Sequence, residues 1–159
     1  MAMDKSLQMI REHCNSCPYC GATVDLQRSE PQGDTPCLQC QQLLWFVRKS
    51  VEGVTVLTFL PGLMVGCESG GKADEVFASL GGSYRVVINL SRLRLASSLF
   101  LGMMVALRRK LKAVGGNVKV CALAPVVEDS FRATQLHSLF EICADEHAAV
   151  NGFFEVLDE

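Results

Sequence analysis

The 159-residue sequence has no apolar run long enough to cross a bilayer. A spanning helix needs about 18 or more consecutive apolar residues, and the longest candidate, Leu99 to Leu107, is roughly half that. The opening residues Met1-Ala2-Met3-Asp4-Lys5 lead into polar sequence and carry no secretory apolar segment. A cytoplasmic protein is therefore expected. Also missing is any nucleophile-and-base pairing at motif spacing. His13, His137 and His147 stand far apart among ordinary helix or loop residues, so no catalytic role is assigned and no enzyme is expected. Hydrophobic residues make up 49 % of the chain and charged residues 20 %, a globular balance with room for one core and a small appendage. The net charge of −2 excludes little until it is divided along the chain.

Cysteine is abundant, and unevenly placed. Of the 8 cysteines, Cys14, Cys17, Cys20, Cys37 and Cys40 crowd into the first quarter, while Cys67, Cys121 and Cys143 are scattered singly. Clustering in a chain with no signal peptide favours metal or redox chemistry over a disulfide framework. Cys17-Pro18-Tyr19-Cys20 has the letters of a glutaredoxin site. That chemistry needs its first cysteine between a buried strand and a helix N-terminus, where the thiol pKa is lowered. Neither flank fits: Arg11 to Ser16 is polar, Gly21 to Gln27 alternates like a short strand, and Arg28 to Pro36 is loop sequence with two prolines and a glycine.

A second pair, Cys37-Leu38-Gln39-Cys40, follows Cys20 after a short strand and loop. Two such pairs present four thiolates to one tetrahedral ion at about 2.3 Å. Gly21 suits the residue after a knuckle cysteine, which often needs positive φ. The arrangement resembles a zinc ribbon, with Cys17, Cys20, Cys37 and Cys40 as ligands of one structural Zn2+. The same donor set also suits iron. Four thiolates leave no open position for water, and ion binding supplies folding free energy that so short a segment lacks. Cys14 is spare, a free thiol or a competing ligand with Cys17, and His13 lies beside it. Residues 1 to 44 hold three basic residues (Lys5, Arg11, Arg28) against five acidic ones, the wrong sign for binding phosphates.

From Trp45 the pattern changes, and residues 45 to 159 read as a second domain. Leu43 to Val47 and Val54 to Leu60 form a predicted hairpin with its turn over Arg48 to Gly53, the second strand ending at Pro61-Gly62. A glycine-rich loop precedes a helix over 72 to 80, stopped by Gly81-Gly82. Tyr84 to Leu90 suits a strand buried on both faces. Ser97 or Ser98 caps a helix running to Val114. A strand over 118 to 124, a helix over 126 to 136 opened by Pro125, a short strand over 140 to 143 and a helix over 145 to 154 follow. This alternation argues an α/β domain whose later strands are parallel.

Arg85 to Leu93, Ala96-Ser97-Ser98-Leu99-Phe100-Leu101-Gly102, Leu111 to Cys121, Leu123-Ala124-Pro125 and Leu136 to Phe140 together resemble the STAS domain, the fold of bacterial anti-sigma factor antagonists. The resemblance runs from about Trp45 to Phe154. It implies a STAS-like mixed β-sheet of four or five strands with helices packed mainly on one face. It also implies a binding module that docks a protein, often a serine-kinase anti-sigma factor, and is switched by phosphorylation. Aligning Leu90-Ser91 and Leu101-Gly102 with the family pattern puts Ser98 on the phosphorylated serine. Ser97 replaces the usual aspartate, Leu99 the second hydroxyl residue and Phe100 the glycine. Ser97 and Ser98 are then helix caps, a regulated phosphorylation site, or an unphosphorylated partner site. A helix N-terminus tolerates phosphate, and the added charge would expel a docked partner.

The long helix has almost no polar face in its first two turns, so Phe100, Met103, Met104 and Leu107 either pack under neighbouring helices or, with Ser97, form a partner surface. Between Arg85 and Lys119 there are eight basic residues and no acidic one. This stretch is a solvated helix face or a surface for an acidic partner, a nucleotide or RNA. A non-enzymatic protein-interaction module is the leading expectation, with a nucleic-acid-associated factor or a nucleotide-sensing domain as alternatives.

Overall fold

In the computed structural model the described residues are 14–24, 35–60 and 69–154. Expectations for His13, Cys67, Pro61-Gly62 and most of both loops fall outside them. Two sheets are present among the described residues. A small one pairs β1 (Thr35–Pro36) with β2 (Leu43–Leu44), antiparallel. The main sheet has five strands in the order β3 (Phe46–Val51), β4 (Val54–Phe59), β5 (Arg85–Asn89), β6 (Asn117–Cys121) and β7 (Glu141–Cys143). β3 and β4 are antiparallel, and β4 through β7 are mutually parallel. The returns are made by α1 (Ser69–Ser79), α2 (Ser98–Ala113) and α3 (Pro125–Ala133), and α4 (Glu146–Asn151) closes the domain.

Period-two alternation sorts the strands between two apolar layers. Leu57, Phe59, Val86, Ile88, Val118 and Val120 join Ala73 and Val76 of α1, Met103 and Leu107 of α2, and Val127 and Phe131 of α3 in the main core. Val54, Val56, Val87 and Cys121 face the other way and are covered by Ala149 and Val150 of α4. Three helices thus share one face and one short helix takes the other, as the mixed-sheet expectation required. Glu146 ties α4 down, accepting from Asn89 at 3.2 Å and pairing with Lys49 at 2.8 Å.

Several boundaries differ from the sequence reading. β3 continues through Arg48, Lys49 and Ser50, and the turn is only Glu52-Gly53, with φ of 52° and 82°. Both positive values mark the two-residue turn whose twist matches a hairpin. The polar residues read as turn are instead an edge strand, where charged side chains are common. The first helix begins at Ser69, taking in Gly70 and Gly71. β6 stops at Cys121 because Ala122 turns to φ 59°, and α3 stops at Ala133, before Gln135 at φ 61° and a 3-10 turn over Leu136–Ser138.

Candidate metal centre and partner-facing helix

The two cysteine pairs are built alike. In the first, the Cys17 N–H donates to the Ala22 carbonyl at 2.8 Å and the Gly21 N–H returns to the Cys17 carbonyl at 2.9 Å. In the second, Cys37 N–H donates to Gln42 at 2.9 Å and Gln41 N–H to Cys37 at 2.8 Å. Gly21 and Gln41 occupy the same position after the last cysteine, both left-handed at φ 78° and 64°. Glycine was foreseen at the first site; the second uses a residue that bears the strain of a left-handed side chain.

The four Sγ atoms of Cys17, Cys20, Cys37 and Cys40 all lie within 4.8 Å of one another. Cys17 and Cys40 are 3.7 Å apart, and Cys20 and Cys37 3.6 Å. Ligand bonds of about 2.3 Å in a tetrahedron require sulfur separations near 3.8 Å, whereas a disulfide requires about 2.05 Å. The donor set therefore fits one tetrahedral ion. Burial pushes the Cys17 thiol up to about 12, while the Cys40 backbone N–H, with that of Gln39, draws Cys37 down to about 6. Without a cation the four sulfurs cannot share one small volume as thiolates. Cys14 is half-buried and outside the cluster.

The other predicted site residues sit at the start of α2. Ser97 is the N-cap, its hydroxyl accepting from Phe100 N–H at 3.1 Å. Ser98 is the first helical residue and exposed, beside Leu99 (39 % exposed) and near Leu95 in sequence (75 % exposed). Phe100, Met103 and Met104 are not on the surface: their exposures are 3 %, 0 % and 0 %. Phe100 packs edge-to-face on Phe59 at 5.3 Å, and both methionines lie in the main core. The partner-surface expectation is corrected for these three. The apolar girdle of α2 packs against the sheet and against α1.

A family model described as "STAS domain" matches residues 38–149, more than half of the chain. The chain belongs to the STAS domain family. The matched segment starts at Leu38, so Cys17, Cys20 and Cys37 precede it. A candidate anti-sigma factor antagonist of Bordetella bronchiseptica, BtrV, is 28 % identical over 103 residues, covering 59 % of this chain and 89 % of that protein. The crystal structure of a candidate anti-sigma factor antagonist of Thermotoga maritima superposes with a TM-score of 0.62 at 20 % identity, covering 69 % of this chain and 95 % of that one. The anti-sigma factor antagonist SpoIIAA, solved in its unphosphorylated form, gives 0.56 at 18 % identity, covering 70 % and 98 %. The structural likenesses establish the fold.

Within the STAS domain the basic stretch is dispersed by its own contacts. Lys110 pairs with Asp74, Lys119 is buried against Glu141 and the Phe153 ring, and Arg108 donates to the Leu139 carbonyl at 2.8 Å. Lys112 reaches Asn117 at 3.2 Å, and Arg85 lies over Phe154. These five cations are engaged within the domain. His137 is exposed on the STAS domain, and His147 bonds Asn151 at 2.9 Å. Cys121 is core.

Sequence reasoning missed Tyr19. Its hydroxyl bonds Glu75 on α1 and accepts from Trp45 Nε1 at 3.1 Å, and burial with the Glu75 bond pushes its pKa up to about 12. Glu75 is 56 residues away in sequence, so no local pattern marks the pair.

Proposed function

We propose that the chain is a non-enzymatic regulatory protein whose STAS domain (residues 45 to 159) docks another protein, in the manner of an anti-sigma factor antagonist. Residues 1 to 44 form a ribbon holding one structural Zn2+ through Cys17, Cys20, Cys37 and Cys40. The protein acts in the cytoplasm, where thiols stay reduced. The observation that carries the docking reading is the start of α2. Ser98 and Leu99 are exposed there on a helix whose Phe100, Leu101, Met103, Met104, Leu107 and Leu111 are buried. Its partner is a protein of the anti-sigma factor type. Ser98 is the switch: as the first residue of a helix capped by Ser97 it sits where a phosphate is tolerated, and the charge would repel a partner docked on Leu99. The zinc assignment is supported by sulfur separations that match a tetrahedral thiolate site.

The test is differential capture from the native cell with wild type, Ser98→Asp and Leu99→Asp as baits. One protein held by wild type and lost by both variants is expected. An identical partner list for all three would overturn the docking site.

A further inference from the structure

The ribbon is attached to the STAS domain at three places, each within two residues of a metal-site cysteine or on one. Ser16, immediately before Cys17, exchanges both backbone hydrogen bonds with Arg48 on β3. Ser16 N–H donates to the Arg48 carbonyl at 2.6 Å, and Arg48 N–H returns to Ser16 at 3.1 Å. The Ser16 hydroxyl adds a third bond to the same carbonyl at 3.1 Å. β3 is the edge of the main sheet, so this bridge covers part of its unpaired outer side.

Tyr19 is the second attachment. It lies between Cys17 and Cys20, its N–H directed at Cys17 Sγ at 3.4 Å, and its hydroxyl joins Glu75 of α1 to the Trp45 indole. Third, Cys17 and Cys37 pack with Leu44, Val47 and Leu60, so two of the four sulfurs are themselves part of an apolar contact with the sheet. The Arg48 guanidinium also bonds the Ser79 carbonyl at the end of α1. The first knuckle thus grips both the sheet edge and the outermost helix.

We propose that metal loading closes this knuckle as a clamp on the STAS domain: the filled site holds residues 14–24 over the β3 edge and pins α1 through Tyr19, and emptying it releases both. This rests on the reading that the four cysteines hold a metal. The physical reason is cooperativity. Ordering a segment of this length costs backbone entropy at every residue. One bridge, one tyrosine and a small apolar cluster, to which the knuckle itself gives only Cys17, Ala22 and Val24, are too few to hold it when the four sulfurs no longer share an ion. The central strands β5 and β6 pack in the two other apolar clusters and keep that core, so release is local. Tyr19 is a positioning residue for α1, not a ligand.

Trp45 is the single tryptophan, so its emission reports the Tyr19 contact directly. The experiment uses the full chain, with metal content measured before and after chelation, alongside Trp45 fluorescence and amide exchange. Chelation is expected to remove one metal per chain, shift the Trp45 emission, speed α1 exchange and speed exchange of the Arg48 amide by about tenfold, while β5 and β6 stay protected. Tyr19→Phe is expected to keep its metal and its Arg48 protection, yet show the altered emission and the faster α1 exchange of the chelated protein. A metal-free chain with unchanged emission and Arg48 exchange overturns the clamp and leaves the metal site standing. Loss of β5 and β6 protection on chelation also overturns it, because the ribbon would then belong to the global core. A purified chain that holds no metal, and takes up neither zinc nor cobalt, overturns the metal reading beneath it.

Discussion

Replacing Phe100 with alanine separates a core residue from a surface one, because the two readings predict opposite outcomes. The ring is 3 % exposed, lies edge-to-face on Phe59 at 5.3 Å, and belongs to the main core beneath α2. Truncating a buried phenylalanine costs about 3–5 kcal/mol in transfer and cavity terms, within which the aromatic pair accounts for about 0.5–1.5 kcal/mol. A domain of ordinary stability has about 5–15 kcal/mol in total, so the variant should fold but sit near its limit. At about 2–4 °C per kcal/mol for a chain of this size, its Tm should fall by about 6–20 °C. Urea unfolding of the metal-loaded chain measures the loss, with an unchanged m-value showing that the unfolded state is not the cause. A loss below about 1 kcal/mol would refute the packing argument, and a partner abandoned without any loss of stability would restore the surface reading.

Gly116→Ala should destabilise the chain by about 1–3 kcal/mol. An added Cβ would stand 2.8 Å from both the Tyr84 Cβ and the Tyr84 carbonyl oxygen, neither of which can rotate away; thermal unfolding checks this. Cys121 gives a pH dependence. Burial, with the nearby Glu146 charge, pushes its thiol from 9.0 to about 12. The unfolded thiol therefore ionises first, and the stability it contributes is full below pH 9 and is lost as pH rises toward 12. Cys121→Ala should flatten that part of the stability–pH curve in denaturant titrations. Lys119→Met should be neutral or stabilising, since the buried cation is replaced by an apolar chain while its partner Glu141 remains largely in water.

The α/β alternation could be read from the sequence because each strand and helix there carries its own periodicity and its own stop. Val86, Val87 and Ile88 form a strand buried on two faces, Ser97 caps α2, and Gly115 at φ 76° ends the turn after it. The cysteine cluster was equally legible, since spacing alone brings each pair into a knuckle and only one ion geometry fits both. What failed was anything decided by a neighbour distant in sequence. Arg48, Lys49 and Ser50 look like a turn until β3 is known to be an edge strand with Ser79 and Glu146 as partners for its cations. Phe100, Met103 and Met104 could be core or docking face until α1 and the sheet are known to cover that side of α2. Tyr19 looks like a spacer between two ligands until Glu75 and Trp45 are placed beside it.

Cobalt substitution tests the metal reading most directly. The metal-free chain should take up one equivalent of Co2+ and show the intense d–d and thiolate charge-transfer absorption of a tetrahedral four-sulfur site, bleached when zinc displaces it. Cys37→Ser should weaken uptake and alter the charge-transfer band. Absence of uptake, or the weak spectrum of an octahedral oxygen-bound ion, would contradict the assignment of Cys17, Cys20, Cys37 and Cys40 as one metal site.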